Sequence, residues 1–229
     1  PWQPGCGGGV GWGAAMEILP WEFYNHYGDL RILEENYEAM KKHVRWMLTW
    51  VNPKTGIMLS QETDPWLNLG EWIPPRALPR TDLVHTFFLW YCSDIVAKIS
   101  EILGEDGSEF VALRDRTYDA FHKAFYDEKT GSYGNYGSNI FALQIGVPAE
   151  RHDKVVAALR ANFTETNDHI DSGIIGTRYV FEILYTFIKP LNPEYIRNNF
   201  KHTNEKQILS LIKIWYNENQ YQQYRNYNK

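Results

Sequence analysis

Leu30, Leu33, Tyr37, Met40, Val44, Met47 and Val51 recur at alternating spacings of three and four residues. Side chains at that spacing share one face of a 3.6-residue helix, so this segment is predicted as an amphipathic helix with one buried side. Ala14 to Tyr27 also reads as helical, with a kink expected at Pro20. Gly28 is expected to end that helix in the left-handed conformation and Asp29 to cap the next. Asp82 to Leu103 is the third predicted helix. Its first half, Leu83 to Tyr91, is apolar nearly all round, which predicts burial on most sides and a place near the centre of the fold. Gly104 ends it, and Ser108 is the predicted cap of a fourth helix carrying Phe110, Leu113, Phe121 and Phe125 on one side. Shorter helices are predicted at about 139–145, 151–163 and 172–187. The chain is therefore expected to be all-α, with seven or eight helices.

Strand signals are short: Gly56 to Leu59 and Gly131 to Gly134. Each follows the same tripeptide at a helix end, Lys54-Thr55-Gly56 and Lys129-Thr130-Gly131. The echo suggests repeated helical hairpins with elaborated loops at one end. Residues 1–13 are Gly-rich but lack the Lys-Ser/Thr of a phosphate loop. The chain begins at Pro1 rather than Met, so its natural N-terminus is expected to lie upstream. Beyond Lys189 the composition shifts to Asn, Tyr, Gln, Lys and Ile. The expected division is a helical domain over 1–188 and a divergent tail over 189–229.

Charge and composition narrow the partners. A net charge of −5 disfavours nucleic acid and anionic membranes, and no apolar run reaches the ~18 residues of a membrane span. The two cysteines, Cys6 and Cys92, have no metal-ligand spacing, and neither a metal nor a cofactor is expected. Nine Trp, 15 Tyr and 11 Phe supply a core with aromatic surface to spare for binding.

That surplus concentrates in Pro65-Trp66-Leu67-Asn68-Leu69-Gly70-Glu71-Trp72-Ile73-Pro74-Pro75. Its prolines and glycine deny it a long helix. Aromatic faces beside an acid suit a sugar, because the ring stacks on the C–H face of a pyranose and the carboxylate binds hydroxyls or moves protons. The competing reading is a packed loop plugging a helical core. Glu71 is the leading catalytic candidate, the alternative being a cap for a neighbouring helix. Glu17 is a second, against the commoner case of an exposed helix carboxylate. Trp12, Trp72 and Trp66 are candidate stacking platforms. Asp82 is expected to be an N-cap and His85 a hydrogen-bonded core histidine.

Several segments together resemble the six-hairpin catalytic domain of bacterial α-L-rhamnosidases, glycoside hydrolase family 78. Gly11-Trp12-Gly13-Ala14-Ala15 with Leu19-Pro20-Trp21 is similar to the family's Gly-Trp-Gly-Asp-Ala start. Tyr27-Gly28-Asp29, Leu69-Gly70-Glu71-Trp72, Ala97-Lys98-Ile99 with Leu103-Gly104, and His169-Ile170-Asp171-Ser172-Gly173-Ile174-Ile175-Gly176-Thr177 come after it in family order. The resemblance covers roughly residues 10 to 185. It implies an (α/α)6 barrel with a sugar site at one mouth, and hydrolysis of terminal rhamnose of plant or bacterial glycans with inversion by one general acid and one general base. It adds His169 as a sugar-binding candidate, with Asp171 expected to cap a helix starting at Ser172.

The departures bear on activity. Ala14 stands where the family has Asp, and Gly5 to Val10 carries no carboxylate where the family's acid lies. The tail holds no Trp-Glu segment for the base, and a full barrel needs twelve helices. An incomplete barrel, inactive alone and lacking flanking domains of the same polypeptide, is the expectation. A six-hairpin lyase, epimerase or unsaturated-uronyl hydrolase is one alternative. A non-catalytic sugar-binding or helical scaffold module is the other.

Overall fold

The computed structural model describes residues 9–59, 69–167 and 169–187. Eight helices occupy them: α1 (Val10–Gly13), α2 (Ala15–Tyr27), α3 (Arg31–Leu48), α4 (Thr81–Leu103), α5 (Ser108–Phe125), α6 (Tyr136–Ile145), α7 (Ala149–Glu165) and α8 (Ile174–Phe187). Among the described residues the two strand signals reduce to isolated bridges, Val51 with Met58 and Asp127 with Ser132. Trp66, Cys6 and the predicted tail lie outside the described residues.

The helices alternate between two layers. In the inner layer α2 lies against α4, α4 against α6, and α6 against α8. In the outer layer α3 packs on α2 and α4, α5 on α4, and α7 on α6. The sequence explains the division. Outer helix α3 buries one stripe, Leu33, Tyr37, Met40, Val44 and Met47, and leaves its charged side outside. Inner helix α4 is buried from Leu83 to Leu89 and again from Cys92 to Ala97, and touches α1, α2, α3, α5 and α6. Its place at the centre follows from its apolar surround. The result is an arc of inner–outer helix pairs, an incomplete (α/α)6 arrangement.

Helix ends depart from expectation in instructive ways. α2 runs through Pro20 to Tyr27 and stops at Gly28, whose φ of 69° is the left-handed conformation glycine adopts freely. Asp29 accepts the Arg31 N–H at 3.1 Å, one residue before the Leu30 at the boundary. Ser108 opens α5 rather than capping it; Asp106 accepts its N–H at 2.9 Å. α6 begins at Tyr136, earlier than predicted, because the Asn135 side chain accepts the Ser138 N–H.

The Lys-Thr-Gly echo is a repeated joint. After α3, the Asn52 side chain accepts the Lys54 N–H at 2.9 Å, its carbonyl accepts the Gly56 N–H at 2.8 Å, and Gly56 has φ 73°. After α5, the Asp127 side chain accepts the Lys129 N–H at 2.8 Å, its carbonyl accepts the Gly131 N–H at 2.8 Å, and Gly131 has φ 65°. Each joint then locks onto the next inner helix. Met58 donates its N–H to Thr86 Oγ1 of α4 at 3.1 Å, and Tyr133 donates to Asn139 Oδ1 of α6 at 3.0 Å.

Candidate functional site

The inner helices all begin at one end. Gly9, before α1, touches Leu69, and Gly70 touches Thr81 at the start of α4. Ala77 accepts from Asn135, the N-cap of α6, at 2.9 Å, while Pro79 packs on Gly137. Trp72 accepts the Ile174 N–H at the start of α8 at 3.0 Å. The segment from Leu69 to Arg80 therefore crosses the N-termini of α1, α4, α6 and α8 and forms the rim of a mouth.

Glu71 anchors this segment. Its carboxylate, 4% exposed, accepts N–H bonds from Trp72 and Ile175 at Oε1, both at 2.9 Å, and from Gly176 at Oε2 at 2.7 Å. With the Ile174 bond to Trp72, the loop takes up the first three free N–H groups of α8, where the helix dipole also favours an anion. Burial pushes the Glu71 carboxyl above the usual range, and the backbone bonds oppose that shift. Gly173 and Gly176 make the approach possible: a Cβ at Gly173 would fall on the Trp72 carbonyl, and one at Gly176 would lie 2.6 Å from Glu71 Oε2. The geometry thus gives Glu71 the capping task. The Gly-x-x-Gly spacing at a helix start is the available signal for these two glycines.

Two further bonds hold the rim. His85 is 1% exposed and donates from Nε2 to the Leu69 carbonyl at 3.3 Å; burial lowers its pKa, so it is a neutral core histidine. Asp171 accepts the Arg76 N–H at 2.8 Å, and does not cap α8, which begins three residues later. Asp82 lies inside the first turn of α4, not at its cap, and pairs with Arg80 at 2.6 Å. Pinned at both ends, the rim tolerates Ile73 at φ 52°, a strained conformation for a β-branched residue.

Trp12 and Trp72 stand on this rim with 43% and 41% of their surface exposed. His169 belongs to the same end through Asp171, but its Nδ1 donates into its own turn, toward the carbonyls of Thr166 at 3.0 Å and Asn167 at 2.9 Å. Glu17 is neither at the rim nor an exposed helix carboxylate. It is fully buried on the side of α2 that faces α3, with Oε1 and Oε2 at 2.9 and 3.1 Å from His43 Nδ1, and it accepts from the Cys92 thiol. Nothing in the sequence marks His43 for this role, because the pairing crosses between two helices. Among the described residues no group of three or more His, Cys, Asp or Glu is placed to hold a metal ion.

Paired inner and outer helices, with inner N-termini gathered at an aromatic-rimmed mouth, define a helical-hairpin domain. The sequence pattern of the bacterial α-L-rhamnosidase six-hairpin glycosidase domain matches residues 2–192, and the chain belongs to that family. An α-L-rhamnosidase of Formosa agariphila is 31% identical over 201 residues, covering 79% of this chain and 20% of that protein. One from Streptomyces avermitilis is 25% identical, covering 78% and 17%. The solved α-L-rhamnosidase structure from Dictyoglumus thermophilum superposes with a TM-score of 0.68 at 27% identity, over 79% of this chain and 21% of that one. The chain thus spans about one fifth of the length of the curated relatives it matches.

Proposed function

We propose that this chain forms part of the sugar-binding mouth of a glycoside hydrolase that removes terminal rhamnose with inversion. The observation that carries the reading is the meeting of three segments distant in sequence, 9–13, 69–76 and 169–176, at one mouth with Trp12 and Trp72 on its rim. Aromatic faces left two-fifths open at a pinned rim are platforms for the apolar face of a pyranose. The relatives' α-L-rhamnosidase name favours this chemistry over a lyase, an epimerase or a uronyl hydrolase.

In this reading Glu71 and Glu17 are positioning residues. Glu71 holds Trp72 against α8, and Glu17 joins α2 to α3 and α4. In this reading the proton-transfer pair belongs to flanking parts of the same polypeptide. General acid–base assistance is worth roughly 10²–10⁴-fold per group, so this chain alone turns over an aryl rhamnoside negligibly. Titration with L-rhamnose, monitored by tryptophan fluorescence, tests the reading. A saturable change that is lost in Trp72→Ala is expected. Turnover of an aryl rhamnoside that disappears in Glu71→Gln would make Glu71 the catalyst and overturn its positioning role.

A further inference from the structure

A second concavity lies away from the mouth. Helix α6 has 10 residues against the 23 of α4, so α4 outruns it beyond Ile145. There α4 and the outer helix α5 wall a cavity of about 410 Å³. Trp90 and Asp94, one turn apart on α4, line it together with Tyr118 of α5 and Ile145 at the end of α6. At about 1.5 Å per residue, Trp90 and Asp94 lie roughly 14–20 Å along α4 from the mouth. The volume suits a small organic solute.

The lining joins apolar walls to an excess of negative charge. Arg114 of α5 reaches Asp94 at 3.4 Å and Asp115 at 2.8 Å, and so ties α5 to α4 beside the cavity. Lys98 holds the other oxygen of Asp94 at 2.6 Å. Asp94 is thereby satisfied although it is buried. Asp119, also in the lining and one turn beyond Asp115, is exposed and pairs with no cation among the described residues. Burial, and after it the charges of Asp119 and Glu150, push the Tyr118 phenol pKa up against the opposing Arg151, so the field at this wall is negative. Trp90, Tyr118 and Ile145 offer surface to a hydrocarbon stem, and aromatic rings attract a cation through their π faces.

We propose that this cavity binds a primary ammonium group carried on an apolar stem, with the stem against Trp90 and Ile145 and the head at Asp119. The proposal is independent of the sugar-mouth reading, and its failure would leave that reading untouched. It is tested by calorimetric titration of putrescine, at neutral pH and low salt, into the wild-type chain, Asp119→Asn, Asp119→Lys and Asp153→Asn. Asp153 is exposed on α7 outside the lining, so its variant reports the general attraction of an acidic chain for a cation. The expected result is saturation at one site, about threefold weaker in Asp119→Asn, about tenfold or more weaker in Asp119→Lys, and unchanged in Asp153→Asn. Urea midpoints should stay level, because Asp119 is exposed and unpaired. A wild type that does not saturate overturns the proposal. So does affinity in both Asp119 variants within about 1.5-fold of wild type, or a loss in Asp153→Asn as large as in Asp119→Asn. A second titration uses an acetylated, amidated tripeptide with a central lysine. Tighter binding than putrescine assigns the ammonium to a lysine side chain of a protein partner, and weaker binding assigns it to a free amine.

Discussion

The joint after α3 and the joint after α5 share the same bonds, but they lead into different stretches of chain. At the second, residues 132–135 run straight into α6. At the first, residues 57–80 intervene before α4, and they carry the whole described rim from Leu69 to Arg80. The second joint is a plain hairpin closure. The first is the same closure opened to admit the rim loop. That loop cannot borrow its order from the joint, so it has its own anchors: Glu71 on α8, His85 on Leu69 and Asp171 on Arg76. Repeated geometry supplies the frame, and an insertion at one copy supplies the rim.

Removing an anchor should hurt most. Glu71→Ala leaves the N–H groups of Trp72, Ile175 and Gly176 without their acceptor in a buried place. The expected loss is about 3–5 kcal/mol in urea unfolding, larger than for any single substitution at the plain joint. A loss below about 1 kcal/mol would mean the rim does not depend on α8.

Acid should single out the second joint. There His122 is buried against the Tyr133 hydroxyl, and burial lowers its pKa to about 4. The unfolded chain binds the proton more readily below the ordinary value of 6.5, so the stabilisation is complete above 6.5 and is lost as pH falls toward 4. The wild type should therefore lose about 2–3 kcal/mol relative to His122→Gln between pH 7 and pH 4. Parallel stability curves for the two proteins would contradict this.

The finest comparison is glycine against glycine. Alanine at Gly56 takes a left-handed conformation and brings its Cβ to 2.8 Å from the Cβ of Ala120. Alanine at Gly131 takes a similar conformation but meets its nearest atom, Lys154 Cβ, at the longer distance of 3.1 Å. Both cost about 1–2 kcal/mol in strain, and Gly56→Ala should cost about 1 kcal/mol more. Equal thermal melting shifts would mean the two joints are packed alike.

Much of the frame is legible in the sequence because its signals are local. The three–four spacing of α3 and the all-round apolar run of α4 are read within single segments, and the Lys-Thr-Gly echo needs only two short windows. The site is legible in part. Trp12 and Trp72 stand out by type, but the task of Glu71 depends on backbone donors 104 and 105 residues away, which no spacing encodes. Glu17 reads as a surface carboxylate because α2 is apolar on two sides. Ile18 packs inward while Leu19, Phe23 and Tyr27 face out, so its sequence does not say which side the acid takes.

The bond between Glu71 and the start of α8 also sets an order of events during synthesis. When the ribosome has delivered the rim loop, the donors that will neutralise its buried carboxylate do not yet exist. At about 5–20 residues per second the missing stretch takes roughly 5–20 s to arrive. Until then Glu71 has reason to stay in water, and the rim with it. The paired helices α2 to α5 can assemble on the nascent chain in that interval, since most of their contacts are with one another. The rim is thus the last part to be made, and its closure reports that the polypeptide has grown past Gly176.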